Sequence, residues 1–271
     1  MKNFVYILLI FHFSSCQKET FNINNLNGDI LVMGHGGMGI SHAYPMNTFE
    51  SIMHCINLGV DGTEIDVQMT KDGVLVAYHD KELSNKTNKC GLVNDFYWND
   101  LQSAYYTSVP YLNYSILSLE QLFSNIDNLY EHKFIFDCKL YSNNDSLFFY
   151  NSFVNSFREI INKYSLQNNV YFESQNSDFL IKLKNDNPEY KLFIYPPSFE
   201  IGLEVALNIE LFGITISTDE ISREQIEIAH SNNLFVSIWN VNSKNENIAA
   251  INKNPDCIQT DKVKHLVNLL D

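Results

Sequence analysis

The sequence predicts an α/β fold in which strands alternate with helices, namely a closed (β/α)₈ TIM barrel. Short apolar segments recur along the chain with helical stretches between them. They amount to eight strands, each followed by a helix. The length of 271 residues also suits this fold, which commonly takes about 250. An open doubly wound sheet is the alternative, but the sequence has neither a Gly-rich dinucleotide fingerprint nor a P-loop motif to support it.

The first elements are a strand, a helix and a pair of strands, predicted at 30–33, 47–58, 61–70 and 74–79. The helix begins at Asn47 or Thr48, which are both good capping residues, and ends before Gly59. Asp72-Gly73 separates the two strands of the pair. A two-residue Asp-Gly turn joins antiparallel strands, whereas parallel strands need a long crossover. The second strand is therefore predicted as a hairpin arm after strand 2, outside the barrel.

Residues 84–115 are aromatic and polar without a clear period, and they are predicted as an insertion. A helical pattern follows over 117–129. The remaining strands are predicted at 134–140, 170–174, 192–195, 212–217, 235–240 and 257–260. The helices that follow them are predicted at 146–164, 177–185, 199–207, 220–231, 244–252 and 266–270.

Residues 1–15 are predicted as an export signal that is not part of the fold. Their apolar run over 4–13 is too short to span a bilayer, and two serines then precede Cys16. This pattern resembles a bacterial lipoprotein signal, in which Cys16 is lipidated. An ordinary secretory signal is the alternative. Residues 16–28 are predicted as a tether and 29–271 as the barrel domain. The expected location is the cell envelope or periplasm, with the lipid anchor as the contact with the membrane.

The charge composition limits the expected partners. The chain has 18 Lys and Arg against 32 Asp and Glu, a net charge of -14, so nucleic acid is not an expected partner. An acidic protein can bind an anionic substrate where a metal ion or a local cation supplies positive charge. No apolar run reaches about 18 residues, so no transmembrane helix is predicted. Cys138 lies inside an apolar strand and is predicted to be a buried free thiol.

Polar side chains collect where the predicted strands end, which is where the active site of such a barrel lies. They are His35 after the first strand, Glu64 and Asp66 on one face of the second, and Asp137 and Lys139 on one face of the third. Buried carboxylates are costly without a cation or an ion pair. Three of them around one point suit Ca²⁺ or Mg²⁺ better than zinc, which favours Cys and His.

A second histidine, His79, ends the hairpin arm and is predicted to lie near His35 over the same mouth. Two histidines beside a metal can divide acid and base work near neutral pH. A structural hydrogen bond is the alternative for either histidine, and a solvated face is the alternative for Glu-x-Asp. Gln175 and Trp239 at later strand ends, and His42 in the first loop, are candidate substrate contacts. Core packing is the alternative for Trp239.

The motifs occur in a specific order. The chain contains Gly34-His35-Gly36-Gly37, Pro45-Met46-Asn47-Thr48, Glu64-Ile65-Asp66-Val67, Thr70-Lys71-Asp72-Gly73, His79-Asp80, Trp239-Asn240-Val241-Asn242 and Thr260-Asp261. In this order the sequence resembles the glycerophosphodiester phosphodiesterase family over roughly residues 30–263. The resemblance implies a TIM barrel that hydrolyses glycerophosphodiesters to an alcohol and glycerol phosphate.

The resemblance also implies roles for single residues. His35 and His79 would be the acid–base pair, Glu64, Asp66 and Asp137 the metal ligands, and Lys139 a phosphate contact. The substrate's own glycerol hydroxyl would attack phosphorus, and water would open the resulting cyclic phosphate. Which histidine acts as acid is left open.

Three positions depart from the family pattern. Gly36 stands in place of an arginine, Met46 in place of a glutamate, and Asp137 in place of a longer glutamate. These departures indicate a divergent branch with another head group, or lost catalysis.

Three functions therefore compete. The first is a metal-dependent phosphodiesterase acting on deacylated phospholipid head groups. The second is a related enzyme that cleaves intact lipid and has an apolar rim at the barrel mouth. The third is a catalytically weak binding protein. Retention of both histidines, Glu64 and Asp66 favours catalysis.

Overall fold

The computed structural model describes residues 20–40, 43–112 and 114–271, which form ten strands and nine α-helices. The strands are β1 Leu31–Gly34, β2 Gly62–Met69, β3 Leu75–Ala77, β4 Leu117–Ser118, β5 Lys133–Cys138, β6 Val170–Ser174, β7 Lys191–Ile194, β8 Gly213–Ser217, β9 Phe235–Val241 and β10 Cys257–Thr260. The helices are α1 Phe49–Ile56, α2 Trp98–Leu101, α3 Leu119–Phe123, α4 Ser146–Tyr164, α5 Ser177–Asp186, α6 Phe199–Asn208, α7 Arg223–Ser231, α8 Lys244–Lys253 and α9 Val263–Leu270.

Eight parallel strands close into a barrel. Their order is β1-β10-β9-β8-β7-β6-β5-β2, and β2 pairs in turn with β1. Closure pairs the last strand with the first, so that Gly34 at the end of β1 is in register with Thr260 at the end of β10. The predicted (β/α)₈ barrel is therefore confirmed.

The hairpin arm is also present. β3 pairs antiparallel with β2 across the tight turn that contains Gly73, whose φ is 86°. The arm continues into β4, which pairs antiparallel with β3. The helix predicted over 117–129 was therefore only partly right, because its first two residues form this strand. Ser118 ends the strand and caps α3, and Gln121 completes a capping box with it.

Residues 84–115, the predicted insertion, form the short helix α2 and several turns in the part that the structure describes. Their apolar side chains make a small core of their own with the outer side of the arm, separate from the main core. Val76 on the arm packs there with Leu101 and Tyr106 of the insertion. The insertion is therefore attached to the barrel through the arm, and this places it beside the barrel mouth.

The side chains of the barrel strands alternate between two environments. Ile65 and Val67 of β2 face outward into the main core that the surrounding helices cover. Inside the barrel, the lower layer is apolar and contains Met33 and Ile135. The carboxylates described below lie above it, towards the carboxyl ends of the strands. The cysteines of the described residues are free, and Cys138 is buried as predicted.

The described part of the predicted tether contacts the amino-terminal end of the barrel. The Leu26 amide donates to Asp256 Oδ1 at 2.9 Å, and the Asn24 amide donates to Asn254 Oδ1 at 2.8 Å. Phe21 and Ile23 pack against the main core. The predicted signal at 1–15 and Cys16 lie outside the described residues and remain predictions. Within the described part of the chain, no helix combines the length and apolarity that crossing a bilayer requires.

Candidate active site

The first histidine is positioned by barrel closure. His35 directly follows β1, and Asp261 directly follows the neighbouring β10. These residues are 226 positions apart in the chain, yet His35 Nδ1 lies 2.9 Å from Asp261 Oδ1. Burial lowers the pKa of His35, but the hydrogen bond and the charge of Asp261 more than offset this, so the pKa is raised. His35 is therefore oriented by a carboxylate that also favours its protonated form.

The second histidine is brought to the same place by the hairpin arm. His79 lies two residues beyond β3, and its Nδ1 is 2.8 Å from Asp80 Oδ1. Gln68 of β2 donates to the carbonyls of Tyr78 at 2.7 Å and Asp80 at 2.8 Å, and so holds the end of the arm against the barrel. His35 and His79 line one cavity of about 350 Å³. The fold therefore places both histidines on the same cavity.

Four buried acidic side chains lie inside the barrel. Glu64 and Asp66 come from β2, Asp137 from β5 and Glu173 from β6. The parallel register pairs Asp66 with Asp137, and Asp137 with Glu173, so three of the four occupy one level of the barrel. Carboxylate oxygens of Glu64, Asp137 and Glu173 lie within 4.8 Å of one another.

Glu173 was not among the ligands predicted from the sequence. Its signal was available, because a glutamate in the run Val170-Tyr171-Phe172-Glu173-Ser174 interrupts an otherwise apolar strand. The structure groups Glu173 with Glu64 and Asp137, two of the three predicted ligands.

The third predicted ligand, Asp66, is engaged by other groups. Its Oδ2 accepts from Asn47 Nδ2 at 2.6 Å, and its Oδ1 lies 3.0 Å from Lys139 Nζ. Lys139 Nζ also lies 2.6 Å from Asp137 Oδ2. Lys139, the predicted phosphate contact, therefore bridges two carboxylates at the mouth of the barrel.

Neighbouring groups hold the other two carboxylates. Glu64 Oε2 accepts the backbone amide of Gly36 at 2.8 Å, and Glu173 Oε2 accepts from Gln259 Nε2 at 2.9 Å. Each of these contacts occupies one carboxylate oxygen. The orientation of both side chains is thereby set before any ligand binds.

The cluster has more acidic groups than cations. Burial, followed by repulsion from neighbouring carboxylates, raises the pKa of Glu64. Burial and the charge of Asp137 raise the pKa of Glu173 to about 8. Burial would raise the pKa of Asp66 as well, but Lys139 and the two histidines lower it. The single ammonium group of Lys139 does not balance the four carboxylates. The atoms with which these four side chains could bind a metal ion are all oxygens. A hard divalent cation such as Ca²⁺ or Mg²⁺ fits this set.

The predicted substrate contacts Gln175 and Trp239 lie together on the other side of the mouth. Both line a cavity of about 640 Å³, where Trp239 packs edge-on against Tyr195 with ring centroids 5.3 Å apart. Trp239 lies within β9 rather than at its end, and its buried Nε1 has no hydrogen-bond partner among the described residues. His42, the remaining predicted contact, lies outside the described residues.

Known proteins of one family resemble this chain in sequence. The model of the glycerophosphoryl diester phosphodiesterase family matches residues 38–265. The glycerophosphodiester phosphodiesterase of Caldanaerobacter subterraneus is 27% identical over 244 residues, which cover 89% of this chain and 97% of that protein. The enzyme of the same name from Bacillus altitudinis is 44% identical over 64 residues, covering 24% of this chain and 26% of that protein.

Solved structures share the fold. An Oleispira antarctica phosphodiesterase in complex with the product sn-glycerol-3-phosphate has a TM-score of 0.77 at 19% identity, covering 89% of this chain and 96% of that one. A glycerophosphodiester phosphodiesterase from Parabacteroides distasonis has a TM-score of 0.75 at 17% identity, covering 89% of this chain and 97% of that one.

Proposed function

Because this chain belongs to the glycerophosphoryl diester phosphodiesterase family, and is thus a phosphoric diester hydrolase, we propose that His35 and His79 are its acid–base pair. The observation that carries the proposal is their shared cavity. Each histidine has a carboxylate on Nδ1, so each has Nε2 left for exchanging a proton with substrate.

The reaction proceeds in two steps. In the first, the neighbouring glycerol hydroxyl attacks phosphorus, a new P–O bond closes a cyclic phosphate, and the bond to the alcohol breaks. One histidine accepts the hydroxyl proton at Nε2, and the other donates a proton to the departing alcohol oxygen. In the second step water opens the ring, and the two histidines exchange roles. We assign the donor role in the first step to His35, because its partner Asp261 is buried and favours the protonated imidazole, whereas Asp80 beside His79 is shared with Lys86.

The carboxylate cluster provides the place for a divalent cation. Glu64, Asp137 and Glu173 would hold it, with Asp66 beside them. When bound, such a cation polarises a phosphoryl oxygen and the attacking hydroxyl. Lys139 would orient the phosphate through its ammonium group. We infer Ca²⁺ or Mg²⁺ from the all-oxygen donor set.

The proposed activity is tested by measuring release of glycerol phosphate from glycerophosphocholine and glycerophosphoethanolamine, with Ca²⁺, with Mg²⁺ and after chelation. We expect turnover that is lost on chelation and restored by one of the ions. His79→Gln should lose roughly 10²–10⁴-fold in kcat. His132→Gln is the matched control, because His132 immediately precedes β5 at the opposite end of the barrel. Full activity after chelation would contradict the metal assignment.

A separate measurement tests Glu173 as a ligand. Isothermal titration of the protein with Ca²⁺ or Mg²⁺ reports affinity without turnover. We expect Glu173→Gln to weaken binding by roughly ten- to a hundredfold. Glu159→Gln, which lies on α4 outside the barrel, serves as control. Equal affinity in all three proteins would remove Glu173 from the site.

We also propose that the protein is exported and lipid-anchored in the cell envelope. The support is the sequence alone, namely the apolar run at 4–13 and the two serines before Cys16. Metabolic labelling with a radioactive fatty acid should mark the wild type and leave Cys16→Ser unlabelled. Equal labelling of the two proteins would refute the anchor.

A further inference from the structure

The cavity beside the two histidines has an unusual lining for a site that takes a small polar diester. Next to His35 and His79 it is formed by Pro45, Met46, Tyr78, Tyr106 and Tyr111. The tyrosines come from the end of the arm and from the insertion, so the insertion forms one wall of the cavity. The lining is predominantly apolar and aromatic, which is typical of pockets that bind the apolar part of a ligand.

Met46 and Gly36 form this wall as a pair. A Cβ added at Gly36 would lie 2.8 Å from both Cβ and Cε of Met46, so a side chain at position 36 and the methionine exclude each other. The φ of Gly36, 54°, also favours glycine. The side chain of Met46 thus occupies the space that a side chain at position 36 would need.

Tyr78 and Tyr106 form the back of this wall. Tyr106 donates its hydroxyl to the carbonyl of Met46 at 3.4 Å, and Tyr78 donates its hydroxyl to the carbonyl of Glu82 at 3.2 Å. Both rings are buried and lie 6.3 Å apart between centroids. Because each hydroxyl already donates to a backbone carbonyl, the two buried rings close the wall without directing an O–H group into the cavity.

The charges at this cavity neutralise one another. Apart from the histidines, the charged groups among its described lining residues are Asp80 and Lys86, whose Oδ1 and Nζ are 3.1 Å apart. Asp80 Oδ1 also lies 2.8 Å from His79 Nδ1. A cationic alcohol such as ethanolamine would therefore meet no unpaired carboxylate there.

The cavity on the opposite side of the mouth has a larger share of polar groups. Beside Gln175 and Trp239 it is lined by Ser217, Asp219 and Asn240, which can hydrogen-bond to a polyol, and also by Glu220 and by apolar residues such as Ile216. Glycerol matches the polar residues on this side, and phosphorus would lie at the mouth within reach of both imidazoles, so that the attacking hydroxyl meets one histidine and the departing oxygen meets the other. The apolar cavity is then left for the substituent of the departing alcohol.

We propose that the cavity walled by Met46 and the tyrosines selects phosphodiesters whose departing alcohol carries an alkyl or aryl group. This inference rests on the proposed hydrolysis and specifies its substrate class. Met46 is then a specificity-determining residue.

The test compares three substrates with the same glycerol phosphate half, namely the diesters of hexanol, ethanolamine and choline. In the wild type we expect kcat/KM for the hexyl diester to exceed the other two by at least about tenfold. Met46→Gln, a polar side chain of similar length, should reduce this preference by roughly tenfold. Met53→Gln makes the same change on α1 and should leave the preference intact.

Binding to the His79→Gln variant, measured by calorimetry, separates this inference from the proposed activity. Tighter binding of the hexyl diester together with no turnover of any substrate by the wild type would refute the activity and support the selectivity. Equal or tighter binding of the ethanolamine or choline diester would overturn the selectivity, whether or not turnover occurs. A preference that Met46→Gln leaves unchanged would also overturn the role of Met46.

Discussion

Two histidine–aspartate pairs lie at opposite ends of β10 and have nearly the same geometry. At the carboxyl end, His35 Nδ1 is 2.9 Å from Asp261 Oδ1. At the amino end, His230 Nε2 is 2.8 Å from Asp256 Oδ2. Both aspartate side chains are buried, at 2% and 0% exposed, so neither pair is distinguished by the burial of its carboxylate.

The pairs differ in what else the aspartate binds and in what the histidine faces. Asp256 also accepts the backbone amides of Leu26 and Val236, so it connects the amino-terminal segment, β9 and α7. His35, in contrast, borders the cavity that it shares with His79. The same type of histidine–aspartate pair therefore has two roles in this barrel. At the amino end it holds chain segments together, and at the carboxyl end it orients a reactive group. This agrees with the general division of the fold into a stabilising face and a catalytic face.

The largest expected effect on activity comes from breaking the His35–Asp261 pair at the carboxyl end of β10. His35→Gln should lower kcat by roughly 10²–10⁴-fold, because it removes the proposed proton donor. The free energy of unfolding should change by about 1 kcal/mol or less, since the Gln amide can still donate to Asp261 in place of Nδ1. Steady-state kinetics and urea denaturation measure both quantities. A loss of activity below about tenfold would remove His35 from the mechanism.

Breaking the His230–Asp256 pair at the amino end should instead reduce stability and leave activity unchanged. Asp256→Ala leaves two backbone amides and His230 without their acceptor, so the free energy of unfolding should fall by about 3–5 kcal/mol. The kcat of the molecules that remain folded should be unchanged. Urea denaturation followed by circular dichroism is the measurement, with the exposed Asp127→Ala as control. Similar stability in the two variants would contradict the structural role of Asp256.

A milder substitution at the His35–Asp261 pair tests the role of the aspartate charge. Asp261→Asn keeps a hydrogen-bond acceptor but removes the charge that raises the pKa of His35. The pKa of His35 should therefore fall, and the alkaline limb of the pH–rate profile, which reports loss of the protonated donor, should move to lower pH. We expect kcat at its optimum to fall by roughly tenfold. An alkaline limb that stays in place would show that it belongs to another group.

Features set by short-range patterns were predictable. The alternation of Glu64 and Asp66 with Ile65 and Val67 identified the two faces of β2, and Asp72-Gly73 identified the hairpin. Both depend on residues a few positions apart. The strand at the start of 117–129 was missed because Leu117 forms it only by pairing with Ala77, forty positions earlier in the chain.

Side chains that meet across the barrel were less predictable. Glu173 and Gln259 each appear in the sequence as one polar residue in an apolar strand, and they are 86 positions apart. Their hydrogen bond inside the barrel satisfies part of the hydrogen-bonding capacity of each side chain. A single sequence contains no local signal that pairs these two residues.

The sequence by itself determined the succession of strands and helices, the inward face of β2 and the order of the motifs that identify the family. Those properties follow from local backbone preferences and from the two-residue period of a strand. Only the tertiary structure decided that His35 meets Asp261, that Glu173 joins Glu64, and that Met46 fills the space beside Gly36. These contacts require the whole barrel to close, because they join distant segments whose positions depend on every strand between them.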